Sequence, residues 1–463
     1  MLNLVQSVLL IRYLGKNEYG IWSEMLAIPA TFIVLTDMGL NGLMLRAIAR
    51  DQSSQNAMLS RVLGIKVFLA FCFMGGLYAY SYAFDFSSNL RNLLLLASLA
   101  QVVSILKSTI FVVYRALQQF GFQSILMVVE SALMLCVVLA LVLNDARLTH
   151  FFIAIIIINL LITSYVCINY IKVFELSVRI PGLIECFGIL KKSLPFLLYE
   201  LLNPLFYQID VLMLARLSTY GSVGIYNAPY KVITGLFILP GAIKKALFPN
   251  LSKSYGFSKK EYSNTFQIVT KYVGMVGVPL GAATFVFSDK IVRLLFGQEF
   301  LASADVLKIM AIMLPCHYLR IQVTTALYAA NAEKKVVSIF VLVVILNIIL
   351  DYVFIPRWDF IGAAYASLIS EVIFLATGAY FLRELIIARA CVGIGLRLIM
   401  ATAAMVAVIF LVGLLELSVI VRLTGQFVAG AIAYFILIRS FKVISDEEWA
   451  KLMALSRRVI SKK

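Results

Sequence analysis

The chain has 463 residues, of which 62% are hydrophobic and only 14% are charged, whereas soluble domains carry roughly 25% charged residues. This composition excludes a water-soluble enzyme, a disordered protein and a secreted disulfide scaffold, and it leaves a polytopic membrane protein. The six cysteines have neither metal-ligand nor redox spacing and there are only two histidines, so no metal site is expected.

Apolar runs with polar interruptions predict about 14 transmembrane helices. The predicted spans are 1–13, 20–46, 61–83, 92–115, 119–143, 149–172, 193–216, 224–250, 265–288, 304–330, 336–355, 360–382, 393–413 and 418–440. The runs are apolar on all sides, which favours helices over barrel strands. The first run is shorter than the about 20 residues that a crossing needs. We therefore expect a shortened first helix or a truncated start, with an interfacial helix as the alternative.

Basic residues are distributed unevenly between alternate loops. If the loop at 46–61 is cytoplasmic, about 25 Lys and Arg residues lie on that side and about 9 on the other, which is the bias typical of cytoplasmic loops. The distribution predicts that both termini are cytoplasmic. It also accounts for most of the net charge of +16, so no nucleic-acid partner is expected.

Two stretches are amphipathic rather than membrane-spanning. Residues 173–192 lie midway along the chain, and residues 445–463 begin with a helix-capping pattern and end in a basic run. Both are predicted to be cytoplasmic surface helices that contact anionic lipid headgroups. A plain linker and a solvated tail are the alternatives.

An internal repeat connects the two halves of the chain. The segments LGKNEYGIWSEM at 14–25 and STYGSVGIYNAP at 218–229 align without gaps, so that Gly20 falls on Gly224. Each segment follows a predicted helix, and six helices separate the two, which predicts a parallel repeat. The predicted organisation is a six-helix lobe at 1–172, a linker at 173–192, a second six-helix lobe at 193–382, two additional helices within 393–440, and a basic tail at 441–463.

Three short motifs carry a resemblance to a known family. They are Arg12-Tyr13-Leu14-Gly15, Glu18-Tyr19-Gly20-Ile21-Trp22 and Thr36-Asp37-Met38-Gly39-Leu40. This pattern resembles the opening of the polysaccharide transporter family, the Wzx-type O-antigen and capsule flippases of the multidrug, oligosaccharidyl-lipid and polysaccharide exporter superfamily. The second half resembles the family through Asp210, Gly224-Ile225-Tyr226 and Leu247-Phe248-Pro249. The resemblance extends over nearly the whole chain.

The resemblance implies two helix bundles around a central cavity in the bacterial cytoplasmic (inner) membrane. It also implies that an undecaprenyl-diphosphate-linked glycan is flipped from the inner to the outer leaflet. A glycan polymerase and a chain-length regulator are the expected protein partners, beside membrane lipid. The sequence contains no GxxxxGK[ST] loop of an ATPase. We therefore expect a non-enzymatic transporter without catalytic residues or an organic cofactor, driven by an ion gradient, the membrane potential or the substrate gradient.

Charged side chains within predicted spans are the candidate functional residues, because each needs a partner or a wet cavity. A diphosphate would be bound by cationic side chains; the candidates are Lys107, Arg115, Arg320, Lys231 and Arg46. For each of them, a salt bridge to a buried carboxylate is the alternative. Sugar contacts are assigned to Asn203, Tyr207 and Gln208. Coupling to H⁺ or Na⁺ is assigned to the acidic residues Asp37, Glu130, Glu200, Asp210 and Glu371.

Helix spacing supports one of these groups in particular. Glu200, Asn203, Tyr207 and Asp210 share a face of the seventh predicted helix, which predicts a cavity wall; a hydrogen-bonded seam between helices is the alternative. Asp37 alternatively braces the end of the second helix through Arg46 or a backbone N–H.

Three functions are alternatives to that of a glycan flippase. A multidrug antiporter of the same superfamily would need an acidic cavity for cations, and a lipid II flippase would take a chemically similar substrate. A membrane-embedded glycan polymerase or ligase is disfavoured because the predicted outer loops are short.

Overall fold

A computed structural model describes residues 2–174, 183–415, 418–441 and 443–444. Part of the predicted linker and the predicted capping pattern at 445–448 lie outside the described residues. The α-helices of the described part are α1 Leu2–Phe32, α2 Val34–Asp37, α3 Leu40–Arg50, α4 Gln55–Ala83, α5 Ser88–Ala116, α6 Phe120–Leu143, α7 Leu148–Phe174, α8 Leu183–Leu217, α9 Tyr220–Leu236, α10 Ile238–Phe257, α11 Lys259–Leu295, α12 Ser303–Ala329, α13 Glu333–Leu382, α14 Ala388–Gly413 and α15 Val419–Ser440.

Ten helical segments of the described part are long and apolar enough to cross a membrane. Large apolar side chains on their outer faces stay exposed, as at Phe71, which is 75% exposed. Such a surface is stable against lipid and unstable in water. The prediction of an all-α polytopic membrane protein is confirmed.

Two of the long helices each join two predicted spans. In α1, Gly15 takes a non-helical conformation (φ 68°, ψ 175°), which only glycine adopts readily, and it separates span 1–13 from the helix that follows. In α13, Asp359 (φ 52°, ψ −135°) separates spans 336–355 and 360–382. The Asp359 carboxylate accepts hydrogen bonds from the hydroxyls of Ser218 (2.5 Å) and Ser222 (2.6 Å), which stabilise this unusual backbone.

The predicted span 20–46 is not continuous. Met38 (φ 45°) and Gly39 (φ 77°) both have left-handed backbone conformations between α2 and α3. Hydropathy did not detect this break because the apolar residues continue across it. The break places Asp37 at the end of a helix, where its side chain turns into the protein.

The chain divides into two compact units. The first comprises residues 1–232, 293–303 and 340–366, and the second comprises 233–292, 304–339 and 367–463. Within the second unit, the C-terminal helices α14 and α15 form an apolar cluster that includes Leu398, Met405 and Tyr434 and packs on Met275 and Phe287 of α11. The hydroxyl of Tyr434 donates a hydrogen bond to the carbonyl of Met275 (2.8 Å).

Candidate cavity and buried charge clusters

The first unit contains a cavity of about 400 Å³ between α1, α6, α7 and the C-terminal part of α9. Its lining residues are Asn3, Gln6, Ser7, Leu10, Tyr19, Trp22, Leu26, Met127, Glu130, Ser131, Met134, Ile155, Ile158, Asn159 and Lys231. Both polar and apolar side chains contribute to the wall. A cavity of this size and composition accommodates a polar ligand of a few rings.

The cavity wall offers hydrogen-bonding groups to a ligand. Asn3, Gln6 and Ser7 are spaced i, i+3 and i+4, so they share one face of α1. The hydroxyl of Tyr19 is buried and lies close to the side chain of Ser23. Beside it lies the indole of Trp22. Amides, hydroxyls and aromatic rings are the groups that bind sugar rings.

A buried salt bridge forms one edge of the cavity. Lys107 is 6% exposed, and its Nζ donates hydrogen bonds to Oε1 of Glu130 (2.6 Å) and to Oδ1 of Asn159 (2.8 Å). The sequence assigned Lys107 to the substrate and Glu130 to ion coupling, whereas the structure pairs them. Asn159 was missed because a single amide in an apolar helix gives no pattern. An anionic ligand would have to compete with Glu130 for this ammonium.

A second buried cation lies in the same unit. Lys66 is fully buried, and its Nζ donates hydrogen bonds to Asp37, to Oδ1 of Asn41 (2.9 Å) and to Oγ1 of Thr109 (2.7 Å). Asp37 therefore braces the break between α2 and α3 through Lys66 and through a backbone N–H, the second of the two predicted contacts. The main-chain N–H of Asn41 also donates to Asp37 (3.4 Å). This pairing makes Asp37 a structural residue as well as a candidate for ion coupling.

Two carboxylates lie next to each other deep in the first unit. Asp351 is fully buried beside Asp210, which accepts a hydrogen bond from the hydroxyl of Tyr226. Neither oxygen of Asp351 accepts a hydrogen bond from a described residue, and the same holds for Oδ1 of Asn347, one turn earlier on α13. Two buried carboxylates in contact need a proton or a cation between them.

The second unit has a buried cluster on α12 and α13. Arg320 donates to Oε1 of Glu371 (2.9 Å), and Nδ1 of His317 lies 3.1 Å from the same oxygen. All three side chains are at most 3% exposed. The imidazole of His317 stacks on Phe237, with ring centroids 3.5 Å apart. Arg320 and Glu371, predicted for different roles, are thus paired, as Lys107 and Glu130 are in the first unit.

Apart from Lys231, the remaining predicted site residues with described side chains are not among those that line the described cavity. The guanidinium of Arg115 acts electrostatically on Asp37 of the Lys66 cluster. Arg46 is exposed on α3, and Arg115 lies in the last turn of α5. Tyr207 and Gln208 are half-buried on α8. Glu200 and Asn203 belong to the same helix, but their side chains lie outside the described ones. Of the five predicted cationic residues, Lys231 alone is among the residues that line the described cavity.

Comparisons with known proteins place the chain in a family. The model of the polysaccharide biosynthesis protein family matches residues 1–255, and the MatE model matches residues 195–353. The chain is 25% identical over 180 residues to the probable low-salt glycan biosynthesis flippase Agl15 of Haloferax volcanii, covering 38% of each chain. It is 23% identical over 213 residues to a putative O-antigen transporter of Shigella flexneri, covering 45% of this chain and 49% of the relative.

A solved structure shares the fold over almost the whole chain. The lipid II flippase MurJ in an inward closed conformation superposes with a TM-score of 0.77 at 16% identity, covering 95% of this chain and 96% of MurJ. The matches to the two curated relatives span less than half of each relative's length. The match of the first family model covers more than half of the 463 residues, and the chain therefore belongs to the polysaccharide biosynthesis protein family.

Proposed function

We propose that the protein is a flippase that moves an undecaprenyl-diphosphate-linked oligosaccharide from the inner to the outer leaflet by alternating access. The observation that carries this proposal is the cavity of about 400 Å³, which combines sugar-binding groups with a cation inside a membrane-spanning bundle. The family and the names of the relatives support the same class of substrate.

The chemistry of the cavity suits a glycan headgroup. Tyr19, Trp22 and the polar face of α1 supply hydroxyl, amide and aromatic contacts. Lys231 supplies a positive charge to the same cavity, as recognition of a diphosphate requires. Lys107 is a second cation at the edge, and binding of phosphate there would replace its bond to Glu130. Arg320, Arg115 and Arg46 remain candidates for contacts at other stages of transport.

Ion coupling is assigned to the pair Asp210 and Asp351. Their buried carboxyl groups lie side by side, and Oδ1 of Asn347, one turn before Asp351, accepts no hydrogen bond from a described residue. Binding of H⁺ or Na⁺ would remove the repulsion between the two charges. Because α8 and α13 each supply one carboxylate, occupancy by a cation would draw these helices together. Transport driven by an ion gradient requires such a dependence of conformation on occupancy.

The cellular context follows from the same proposal. The charge bias of the loops supports insertion into the bacterial inner membrane with both termini in the cytoplasm. A flipped repeat unit is the substrate of a glycan polymerase on the outer face, so a polymerase and a chain-length regulator are the proposed partners.

A multidrug antiporter is the second candidate. The MatE match at residues 195–353 and the carboxylate of Glu130 in the cavity favour it. A cationic drug would bind Glu130 after displacing Lys107, whereas a diphosphate would bind Lys107 after displacing Glu130. A lipid II flippase, supported by the fold of MurJ, would use the same cationic groups with a different glycan.

The test combines complementation with direct binding. The chain is expressed in a bacterium that lacks its own O-antigen or capsule flippase, and surface glycan is measured beside the purified protein's affinity for lipid-linked diphosphate glycans. We expect Lys231→Ala to lose glycan export and binding, and the matched variant Lys172→Ala, at an exposed lysine of α7, to retain both. Binding of cationic drugs with no binding of lipid-linked glycans would refute the flippase and favour the antiporter. Binding of lipid II but not of oligosaccharide lipids would identify the other flippase.

A further inference from the structure

The two repeated turns contact each other in a reciprocal way. In the alignment of 14–25 with 218–229, Lys16 corresponds to Tyr220 and Gly20 to Gly224. A Cβ atom on Gly20 would lie 1.8 Å from the carbonyl oxygen of Tyr220, and a Cβ on Gly224 would lie 2.0 Å from the carbonyl oxygen of Lys16. The same contact therefore occurs twice with the partners exchanged, which is the signature of a two-fold axis. Only glycine allows the two backbones to approach this closely.

The axis passes near two further equivalent positions. A Cβ on Gly221 would lie 2.8 Å from Oδ1 of Asn17, and the alignment pairs these two residues with each other. Equivalent residues of a two-fold pair meet each other only at the axis itself. The turns at 14–25 and 218–229 thus form a small self-complementary interface between the two repeats.

Two arginines extend this interface, and the same alignment pairs them. Arg12 donates to the carbonyl oxygens of Leu294 and Leu295 (Nε to Leu295 O, 2.7 Å), at the C-terminal end of α11. Cations are stabilised at this end of a helix. Arg12 thus reaches from the predicted first lobe to a helix of the predicted second lobe.

Arg216 makes the opposite connection. It contacts Oε1 of Glu24 (3.3 Å) and donates to the hydroxyl of Tyr80 (3.1 Å). Its guanidinium also lies 4.8 Å from the ring centroid of Phe84 and 4.7 Å from that of Phe86, in the connection after α4. Each arginine lies at the end of its own lobe's first predicted span. Arg12 contacts the C-terminal end of α11 in the other lobe, and Arg216 contacts the end of α4 and the connection after it.

We propose that these reciprocal turns and the two arginines form a gate at the outer end of the protein, closed in this structure, which must separate to release cargo. The outer position follows from the charge bias of the loops, and the need to open rests on the alternating-access function proposed above. Arg12 and Arg216 are exposed residues, although Glu24 is buried at its end of the ion pair, so water can take over the hydrogen bonds of both guanidinium groups when the turns separate. The buried pair of Lys66 and Asp37 is, by contrast, expected to stay intact.

The first test is a crosslink across the axis. In a background with the six cysteines replaced, the double variant Asn17→Cys/Gly221→Cys is crosslinked in membranes, and glycan export is measured before and after reduction. The matched pair Val323→Cys/Gly378→Cys joins two helices of the second lobe, where a Cβ on Gly378 would lie 3.7 Å from the Cβ of Val323, a separation that suits a disulfide. We expect the axis crosslink to abolish export reversibly and the matched crosslink to leave export unchanged. Full export by the crosslinked axis pair, or failure of that pair to crosslink, would overturn the proposal.

The second test does not depend on the substrate. Ser131→Cys in the cavity wall is labelled from the outer side with a membrane-impermeant maleimide in right-side-out vesicles. The double variant Arg12→Ala/Arg216→Ala should raise the labelling rate about tenfold or more, because it removes the arginine hydrogen bonds and the ion pair that stabilise the closed state. Arg422→Ala is the matched control, since Arg422 lies on α15 in the second unit, outside the unit that contains the gate residues, and the variant should leave the rate unchanged.

The two tests separate the gate from the transported substrate. Equal labelling with and without the gate arginines would refute the gate even if glycan export is intact. Faster labelling in a protein that exports no glycan would support the gate and refute the proposed substrate.

Discussion

The buried ion pair of Lys66 and Asp37 is expected to contribute strongly to the stability of the first unit, and a substitution of Lys66 tests this. Replacing it with methionine keeps the length and apolar volume of the side chain but removes the ammonium. Asp37, which is 5% exposed, then loses its buried cationic partner, and Asn41 and Thr109 each lose a hydrogen bond from Nζ. Most of the effect comes from the Asp37 carboxylate, because a buried charge that loses its hydrogen-bonded cation keeps the cost of its desolvation and loses most of the compensating attraction.

The expected cost follows from two independent magnitudes. Breaking a buried ion pair by removing one partner destabilises a protein by about 3–5 kcal/mol. Placing an unpaired charge at the centre of a spanning helix costs about 2.5–3.5 kcal/mol on insertion scales. We therefore expect Lys66→Met to lower the free energy of unfolding by about 3 kcal/mol, which shifts the folding equilibrium by roughly a hundredfold. The double variant Lys66→Met/Asp37→Asn removes the abandoned charge and should recover more than half of that loss.

The assay is equilibrium unfolding in mixed micelles for the wild type, both single variants and the double variant. The coupling energy from this cycle reports the interaction between Lys66 and Asp37. A loss below about 1 kcal/mol for Lys66→Met, which is the size typical of an exposed pair, would refute the reasoning. A double variant no more stable than Lys66→Met would show that the carboxylate is not the source of the cost.

Three further predictions concern the other clusters. Arg320→Leu leaves Glu371 buried without its guanidinium and should lower the free energy of unfolding by about 3 kcal/mol, with Arg320→Leu/Glu371→Gln recovering part of it in the same micelle assay. Asp351→Asn removes one of the paired carboxylates, so export should lose its dependence on an imposed H⁺ or Na⁺ gradient; an unchanged dependence in vesicles would exclude this pair from coupling. Tyr19→Phe removes a buried hydroxyl from the cavity wall, so binding of lipid-linked glycan should weaken about two- to tenfold; equal affinity would place the ligand elsewhere.

The class of the fold was predictable because it depends on composition and periodicity alone. Apolar runs long enough to cross a membrane predict helices, and most run boundaries fall near those observed, as for α6 and α7. The break at Met38 and Gly39 was not predictable, because hydropathy records which side chains are apolar and not which backbone angles they take. The joining of two spans through Asp359 was missed for the same reason.

The candidate charges could be identified from the sequence, but their partners could not. A lysine or glutamate in an apolar run requires compensation wherever the chain folds, so Lys107, Glu130, Arg320 and Glu371 were recognisable by type and position alone. Which of them meet depends on how separate helices pack, and this is a property of the tertiary structure. Asp351 shows the limit most clearly, because its neighbour Asp210 lies 141 positions earlier in the sequence.

The sequence by itself determined that the protein is a helical membrane protein with a repeated turn and with charges that need partners, because hydrophobicity and motif spacing are local properties. Only the tertiary structure decided that cations and carboxylates assigned to different roles neutralise each other, that a polar cavity lies beside one such pair, and that Gly20 and Gly224 meet across an axis. These features depend on distances between helices far apart in the chain, and packing alone sets those distances.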